Sequence, residues 1–127
     1  LPYAVKGMDV SFSGILTKVK QLSEKGVSKE DLCFSMQETC FAMLAEVVER
    51  AMAHTDTKEL LLVGGVGANK RFCEMLDIMC SERGAKFYKV PMDLAVDQGV
   101  MIAWEGFLRR EEFGDVKVLP HWRADEV

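Results

Sequence analysis

A short apolar run that stops at glycines and restarts as a helix constrains this chain most. Leu60 to Val63 has the length and composition of a buried strand, and Lys70 to Arg83 has helical periodicity. Between them lies Gly64-Gly65-Val66-Gly67-Ala68-Asn69. Glycine lacks a Cβ, so this loop can take positive φ and admit a flat ring or a phosphate close to the main chain. The loop predicts either a phosphate- or nucleotide-like ligand or a tight, ligand-free turn from strand to helix.

Two better-known phosphate-binding motifs are excluded by the residues after the glycines. A P-loop requires Gly, Lys and then Ser or Thr, where this chain has Asn69, Lys70 and Arg71. A dinucleotide-binding fingerprint requires a third glycine where Lys70 stands. The helix that opens near Asn69 still directs the positive end of its dipole at the loop, which suits an anion. We predict that the Asn69 amide is an exposed loop side chain that contributes little to folding.

The bulk composition is that of an ordinary globular domain. The chain has 127 residues, of which 49% are hydrophobic and 28% charged, so one compact unit is expected. The net charge of -4 argues against strong nucleic-acid binding by this chain alone. No apolar run has membrane length and no signal-peptide pattern opens the chain, so no membrane partner is predicted. Because the chain begins at Leu1 without a methionine, we expect a fragment of a longer protein.

The four cysteines do not indicate a metal site. Cys33 and Cys40 have the same separation as Cys73 and Cys80, close to two helical turns, and neither pair forms a Cys-x-x-Cys knuckle. We predict that each pair lies on one face of a helix as small buried hydrophobes. Nothing in the spacing suggests a secreted disulfide framework, so the compartment is predicted to be reducing.

The first part of the chain predicts a strand and two helices. Met8 to Phe12 alternates like a strand, and a turn at Ser13-Gly14 leads into a helix that ends near Gly26. Ser28 is followed three residues later by Asp31, which resembles a capping box with Asp in the role of Glu. The helix that it starts is predicted to run to about residue 54 and to be heavily buried.

The second part predicts a parallel strand pair and a last helix. The helix after the glycine loop should stop at Gly84, and Ala85 to Val90 should form the next strand. A strand, a helix and a strand in so few residues predict a right-handed crossover with parallel strands. Asp97 opens a last helix that is predicted to reach about Glu112. Its position fits a carboxylate that serves the helix dipole, and it also fits a ligand for a metal or phosphate at the crevice beside the glycine loop.

Several segments together resemble one family. These segments are Leu1 to Ile15, Gln37 to Thr39 with Phe41 to Leu44, Val63 to Asn69, Met79 to Ala85, and Asp97 to Trp104. Through them the chain resembles, along nearly its whole length, the C-terminal part of the catalytic subunit of the KEOPS complex, whose bacterial member is TsaD and which was formerly labelled O-sialoglycoprotein endopeptidase. The run Lys-Gly-Met-Asp-Val-Ser-Phe-Ser-Gly points to the archaeal and eukaryotic branch.

The resemblance implies a fold, a reaction and a set of site residues. The fold would be α/β, of the two-lobed actin/Hsp70/sugar-kinase-like (ASKHA) class, with residues 1–127 as a C-terminal lobe fragment that has long buried helices and a parallel strand pair. The reaction would transfer threonylcarbamoyl from its adenylate to the adenosine beside the anticodon of certain tRNAs. Gly64, Gly65 and Asn69 would hold threonylcarbamoyl-adenylate or ATP. Asp97 would bind one divalent metal ion, iron or zinc, and Gln98 replaces the Asn usual after it.

The resemblance also implies ligands and partners outside this chain. The family's His-x-x-x-His metal ligands lie upstream and are absent here, so the chain alone is predicted to transfer nothing. The partners would be tRNA, bound through the full complex, and the other KEOPS subunits, including a small atypical protein kinase. The location would be the cytoplasm, with the nucleus as a second compartment. Two alternatives remain open: a metalloprotease, as the old label suggests although His-Glu-x-x-His is absent, and a non-catalytic nucleotide-binding or assembly module.

Overall fold

The computed structural model of the chain describes residues 1–96, 98–112, 114 and 118–121. The chain divides into two units, Leu1–Val96 and Asp97–Val127. The strands and helices of the described part are, in chain order, β1 (Val5–Lys6), β2 (Asp9–Val10), α1 (Ser13–Glu24), α2 (Lys29–Thr55), β3 (Glu59–Leu62), α3 (Lys70–Glu82), β4 (Lys86–Lys89) and α4 (Gly99–Leu108). Short 3-10 turns occupy Gly65–Ala68 and Met92–Leu94.

The first unit begins with a small hairpin that is fixed to α2 by polar contacts. β1 and β2 are antiparallel, and Gly7 supplies the positive φ of 63° that their tight turn requires. The hydroxyl of Tyr3 donates to Glu46 Oε2 at 2.5 Å, and Arg50 both pairs with Glu46 and donates to the Gly7 carbonyl at 2.6 Å. Partial burial and the hydrogen bond to Glu46 raise the pKa of Tyr3 to about 12. These bonds attach the hairpin to the middle of α2.

The predicted strand and turn before α1 are partly wrong. Only Asp9 and Val10 of the stretch Met8 to Phe12 are paired, and Ser13 and Gly14 form the first turn of α1 rather than a separate turn. The Leu16 amide donates to the Phe12 carbonyl, so the helix already closes its first bond there. The chain therefore passes directly from the hairpin into α1.

The capping box that was predicted to start α2 is confirmed, with altered geometry. The backbone N–H of Asp31 donates to Ser28 Oγ at 3.1 Å, as an N-cap requires. The Asp31 carboxylate accepts from the Ser28 hydroxyl at 2.7 Å. In the Glu form of this motif the carboxylate bonds the backbone N–H of the cap residue. Aspartate is one methylene shorter, which brings its carboxylate to the hydroxyl.

The prediction that α2 is heavily buried is wrong for most of its first two turns, in which Leu32 is the buried residue. Leu32, Met43 and Met52 are buried, but the Phe34 side chain is 66% exposed. Cys33 is also exposed, which contradicts its predicted role as a buried hydrophobe, and Cys40 is half-buried. The physical reason is how α2 and α3 are aligned along their length. α3 begins alongside the third turn of α2, so the α2 residues before that turn extend past the start of α3.

The predicted strand-helix-strand order and the parallel pairing of its two strands are confirmed. β3 and β4 are parallel, with Leu60 opposite Phe87 and Leu62 opposite Lys89. α3 connects them and ends before Gly84, whose φ of +64° is the left-handed stop that glycine provides. Contacts between α2 and α3 follow the same order along both helices, so the two helices run parallel to each other.

The core lies between α2, α3 and the inner face of the strand pair. Leu76 has no exposed surface, and Cys80 is 1% exposed, which confirms the predicted burial of the second cysteine pair. Phe41 of α2 stacks on Phe72 of α3 with ring centroids 4.9 Å apart. The remaining contributors are Leu44, Ala45, Val48, Met52, Leu60, Leu62, Met79, Ala85 and Phe87. This arrangement confirms the α/β class.

The second unit is described through α4. This helix carries six large apolar side chains, and each of them is exposed in the described structure: Val100, Met101, Ile102, Trp104, Phe107 and Leu108. Trp104 stacks on Phe107 with the ring centroids 5.5 Å apart. The helix is shorter than predicted, because it ends at Leu108 rather than near residue 112, and Asp97 lies outside the described residues. Among the helices that the structure describes, none has the length and apolar character to cross a membrane.

Candidate nucleotide-binding loop

The glycine loop lies at the carboxyl end of β3, between that strand and the start of α3. Gly64 leaves the strand with φ +87°, and a 3-10 turn over Gly65–Ala68 leads to Asn69. Two bonds close this turn, from the Gly67 amide to the Gly64 carbonyl at 3.0 Å and from the Asn69 amide to the Val66 carbonyl at 2.9 Å. Ligands of parallel sheets bind outside the carboxyl ends of the strands. The loop therefore occupies the position expected of a binding element.

The three loop glycines have different physical roles. Gly64 takes the positive φ that the sequence predicts for the loop, whereas Gly65 and Gly67 do not. Gly67 is buried, and a Cβ there would lie 3.3 Å from Leu62 Cγ, so this glycine serves packing. A Cβ on Gly65, which is exposed, would meet only Val96 Cγ1 at 4.0 Å. Gly65 is thus the loop glycine that is neither conformationally strained nor tightly packed.

Asn69 is held by two hydrogen bonds and is not the exposed amide that the sequence predicts. Its Oδ1 accepts from the Phe72 backbone N–H at 3.2 Å and so caps α3. Its Nδ2 donates to Gln37 Oε1 of α2 at 3.1 Å. The side chain is half-buried because α2 passes beside the start of α3. Asn69 is therefore a helix cap whose amide orientation is set by the Phe72 N–H and whose Nδ2 end is held by Gln37.

An ion pair joins the same two helices next to Asn69. Arg71 donates from Nε to Glu38 Oε1 at 2.7 Å and from its terminal nitrogen to Glu38 Oε2 at 2.8 Å, a bidentate geometry. These hydrogen bonds hold the pKa of the Glu38 carboxyl below its usual range and raise the pKa of Arg71. Sequence reasoning missed both Gln37 and Glu38 as neighbours of the loop. The one available signal was their place among the segments that carry the family resemblance.

A buried thiol of α3 forms a hydrogen bond with the main chain of the loop. Cys73 Sγ lies 3.2 Å from the Gly67 carbonyl oxygen and donates to it. Cys73 also lines an open cleft of about 500 Å³ between α3 and β4, together with Lys70, Glu74, Asp77, Phe87 and Lys89. The start of α3 thus contributes both to the loop and to the wall of a neighbouring cleft.

The structure brings together the predicted loop residues Gly64, Gly65 and Asn69, but it does not describe Asp97. Within residues 1–96, 98–112, 114 and 118–121, no group of three or more His, Cys, Asp and Glu side chains could hold a metal ion. The described residues therefore include the predicted loop, but no such group of metal-ligating side chains lies among them.

Comparison with known proteins identifies the family of the chain. Residues 1–104 match the family model "TsaD: tRNA N6-adenosine threonylcarbamoyltransferase". A tRNA N6-adenosine threonylcarbamoyltransferase of Archaeoglobus fulgidus is 62% identical over 85% of this chain and 33% of its own length. A protein of the same description from Xenopus laevis is 50% identical over the whole chain and 41% of its own length.

A third relative is a longer protein. The probable bifunctional tRNA threonylcarbamoyladenosine biosynthesis protein of Methanobrevibacter smithii is 51% identical over the whole chain and 24% of its own length. The chain thus spans between about a quarter and two fifths of the length of these curated relatives. The match covers the hairpin, all of α1 to β4 and the first part of α4. On these grounds the chain belongs to the TsaD family of tRNA N6-adenosine threonylcarbamoyltransferases.

Proposed function

We propose that this chain is the nucleotide-binding part of the second lobe of a tRNA threonylcarbamoyltransferase with a two-lobed ASKHA fold. The parent protein transfers threonylcarbamoyl from its adenylate to the adenosine next to the anticodon of tRNA. Family membership supports the reaction, because the matching relatives carry that description. The α/β fold and the parallel strand pair are compatible with the second lobe.

The observation that carries the proposal is the exposed Gly64–Gly65 main chain at the carboxyl end of β3. An adenylate presents a flat ring and a phosphate, and a backbone without a Cβ lets both approach the main chain closely. The N-terminus of the thirteen-residue α3 follows the loop and adds the positive end of a helix dipole. Gly64, Gly65 and Asn69 are therefore assigned to threonylcarbamoyl-adenylate or ATP.

The metal assignment concerns residues that the structure does not describe. We assign Asp97 as one ligand of an iron or zinc ion, with the other ligands supplied by histidines outside this chain. Such an ion would act as a Lewis acid toward a carbonyl or phosphate oxygen. One carboxylate cannot replace the hydration shell of a divalent ion, so the chain alone should bind metal weakly and transfer nothing.

Asp97→Asn in the full-length protein tests this assignment. Asparagine keeps a helix-terminal acceptor but removes the charge, so a residue that only caps the helix would lose at most about 1 kcal/mol of stability. A metal ligand should instead lose the ion and at least about a hundredfold in transfer to tRNA. A folded variant with unchanged metal content and unchanged transfer would reduce Asp97 to a cap.

The partners follow from the same proposal. The parent protein would bind tRNA within a KEOPS-type complex that includes a small atypical protein kinase, in the cytoplasm and also in the nucleus where the organism has one. The relatives' descriptions name the tRNA modification, which supports the substrate. Co-purification of the full-length protein with the kinase subunit would test the partner assignment, and failure of the two to associate would contradict it.

Gly65→Ala in the full-length protein tests the loop itself. The added methyl group would meet only Val96 at an ordinary distance, so the fold should be unaffected. If the ligand occupies the open side of the loop, the methyl group should weaken ATP binding by about tenfold, equivalent to about 1.4 kcal/mol. Gly106→Ala is the matched control, because its Cβ would meet nothing within 4 Å and it lies in α4, outside the loop. Equal ATP affinity of Gly65→Ala and wild type by calorimetry would contradict the loop assignment.

A further inference from the structure

We infer that Gln37 is a positioning residue for the nucleotide site, because it holds the donor end of the Asn69 amide, the end that a ligand can use. The inference rests on the proposed function and extends it to a residue of α2. The Phe72 backbone N–H can only donate, so the Asn69 end that it contacts is Oδ1, and the end that lies 3.1 Å from Gln37 Oε1 is the donor Nδ2. The opposite end of the same amide accepts from the Phe72 N–H at 3.2 Å.

This arrangement determines what Asn69 can offer to a ligand. Oδ1 is engaged by the helix cap and one of the two Nδ2 hydrogens is engaged by Gln37. The second Nδ2 hydrogen is the donor that remains for a ligand. Asn69 therefore presents an N–H and recognises an acceptor, such as a phosphate or carbonyl oxygen of an adenylate.

The neighbouring ion pair already attaches the two helices to each other, so the role of Gln37 is not simply to hold them together. Arg71 and Glu38 already join α2 to the first turn of α3 through two charge-assisted hydrogen bonds. A single neutral bond from Gln37 adds little to that attachment. It does hold the Nδ2 end of the Asn69 amide in place, whereas the Phe72 N–H contacts only the Oδ1 end. Without Gln37, Nδ2 loses its acceptor, and the end of the amide that contacts the ligand is no longer held in one position.

The test uses two substitutions of Gln37 in the full-length protein, with ATP as the probe. Gln37→Met preserves length and helix propensity but removes the acceptor, so ATP affinity should fall by about three- to tenfold, the loss expected for one misplaced hydrogen bond. Gln37→Glu keeps an acceptor for Nδ2 and should bind ATP more tightly than Gln37→Met, although its negative charge opposes full recovery of the wild-type affinity. A residue with only a packing role would not show this rescue.

Glu38→Gln is the matched control, since it weakens the other bond between the same helix turns and leaves Asn69 untouched. It should lower the melting temperature without changing ATP affinity. Equal ATP affinity of Gln37→Met and wild type would overturn the inference alone, provided that Asn69→Ala binds less tightly. A wild-type protein that binds no ATP, or an Asn69→Ala variant that binds as well as wild type, would overturn the proposed function and the inference with it.

Discussion

Asn69→Ala should loosen the start of α3 by a measurable amount. The substitution removes the acceptor for the Phe72 N–H and the donor to Gln37. Loss of an N-cap costs about 0.5 to 2 kcal/mol, and a partly buried neutral hydrogen bond contributes about 0.5 to 1.5 kcal/mol. Because the two bonds share one side chain and do not add fully, we expect a loss of about 1 to 2 kcal/mol.

Hydrogen exchange at the Phe72 amide in the full-length protein measures this loss locally. A loss of one to two kcal/mol corresponds to roughly 5- to 30-fold faster exchange when local opening controls the rate. Asn69→Asp is the control, because aspartate caps a helix as well as asparagine does. Its Phe72 amide should exchange within about threefold of wild type. Unchanged exchange in Asn69→Ala would refute the reasoning, since it would mean that the cap does not stabilise the first turn.

Three further predictions concern the core, the ion pair and the buried thiol. Leu76→Ala, at a fully buried site, should destabilise the full-length protein by about 2 to 5 kcal/mol in thermal or urea unfolding, whereas the exposed Asp77→Ala should cost under about 0.5 kcal/mol. The Glu38 pKa is lower in the folded than in the unfolded state, so its stabilisation is complete above the ordinary glutamate pKa and is lost as pH falls through the lowered value. The difference in melting temperature between wild type and Glu38→Gln should therefore shrink in acid, and a constant difference would contradict the assignment. Cys73→Ala removes the donor to the Gly67 carbonyl and should speed exchange of the Asn69 amide by roughly two- to fivefold, while Cys73→Ser keeps a donor and should not.

The elements that local sequence determines were predicted closely. α3 begins after a capping Asn69 and ends before Gly84, and both residues define their boundary through their own conformation. The parallel pairing of β3 and β4 was predictable from the spacing of strand, helix and strand, because two strands joined by one helix usually pair in parallel. The position of the loop was predictable for the same reason.

The contacts between helices were not predictable from local pattern. Gln37 and Asn69 are separated by 32 residues, and Glu38 and Arg71 by 33. Helical periodicity identifies the apolar face of α2, but it carries no information on how far along that face α3 begins. The same missing register explains why Phe34, which shares the apolar pattern, is largely exposed. It also explains why Asn69 is held at both ends of its amide and is not free in a loop.

The attachment points of α2 determine how the hairpin and the glycine loop are related mechanically. Glu46 holds Tyr3 of the hairpin segment, and Gln37 holds Asn69 at the loop. These two anchors lie about two and a half helical turns apart, roughly 13 Å along the axis, and therefore point to opposite sides of the helix. Rotation of α2 about its own axis would move the two attached segments in opposite directions, and a slide along the axis would move them together. Because both segments are attached to α2, the length of helix between Gln37 and Glu46 sets the distance between the loop and the hairpin.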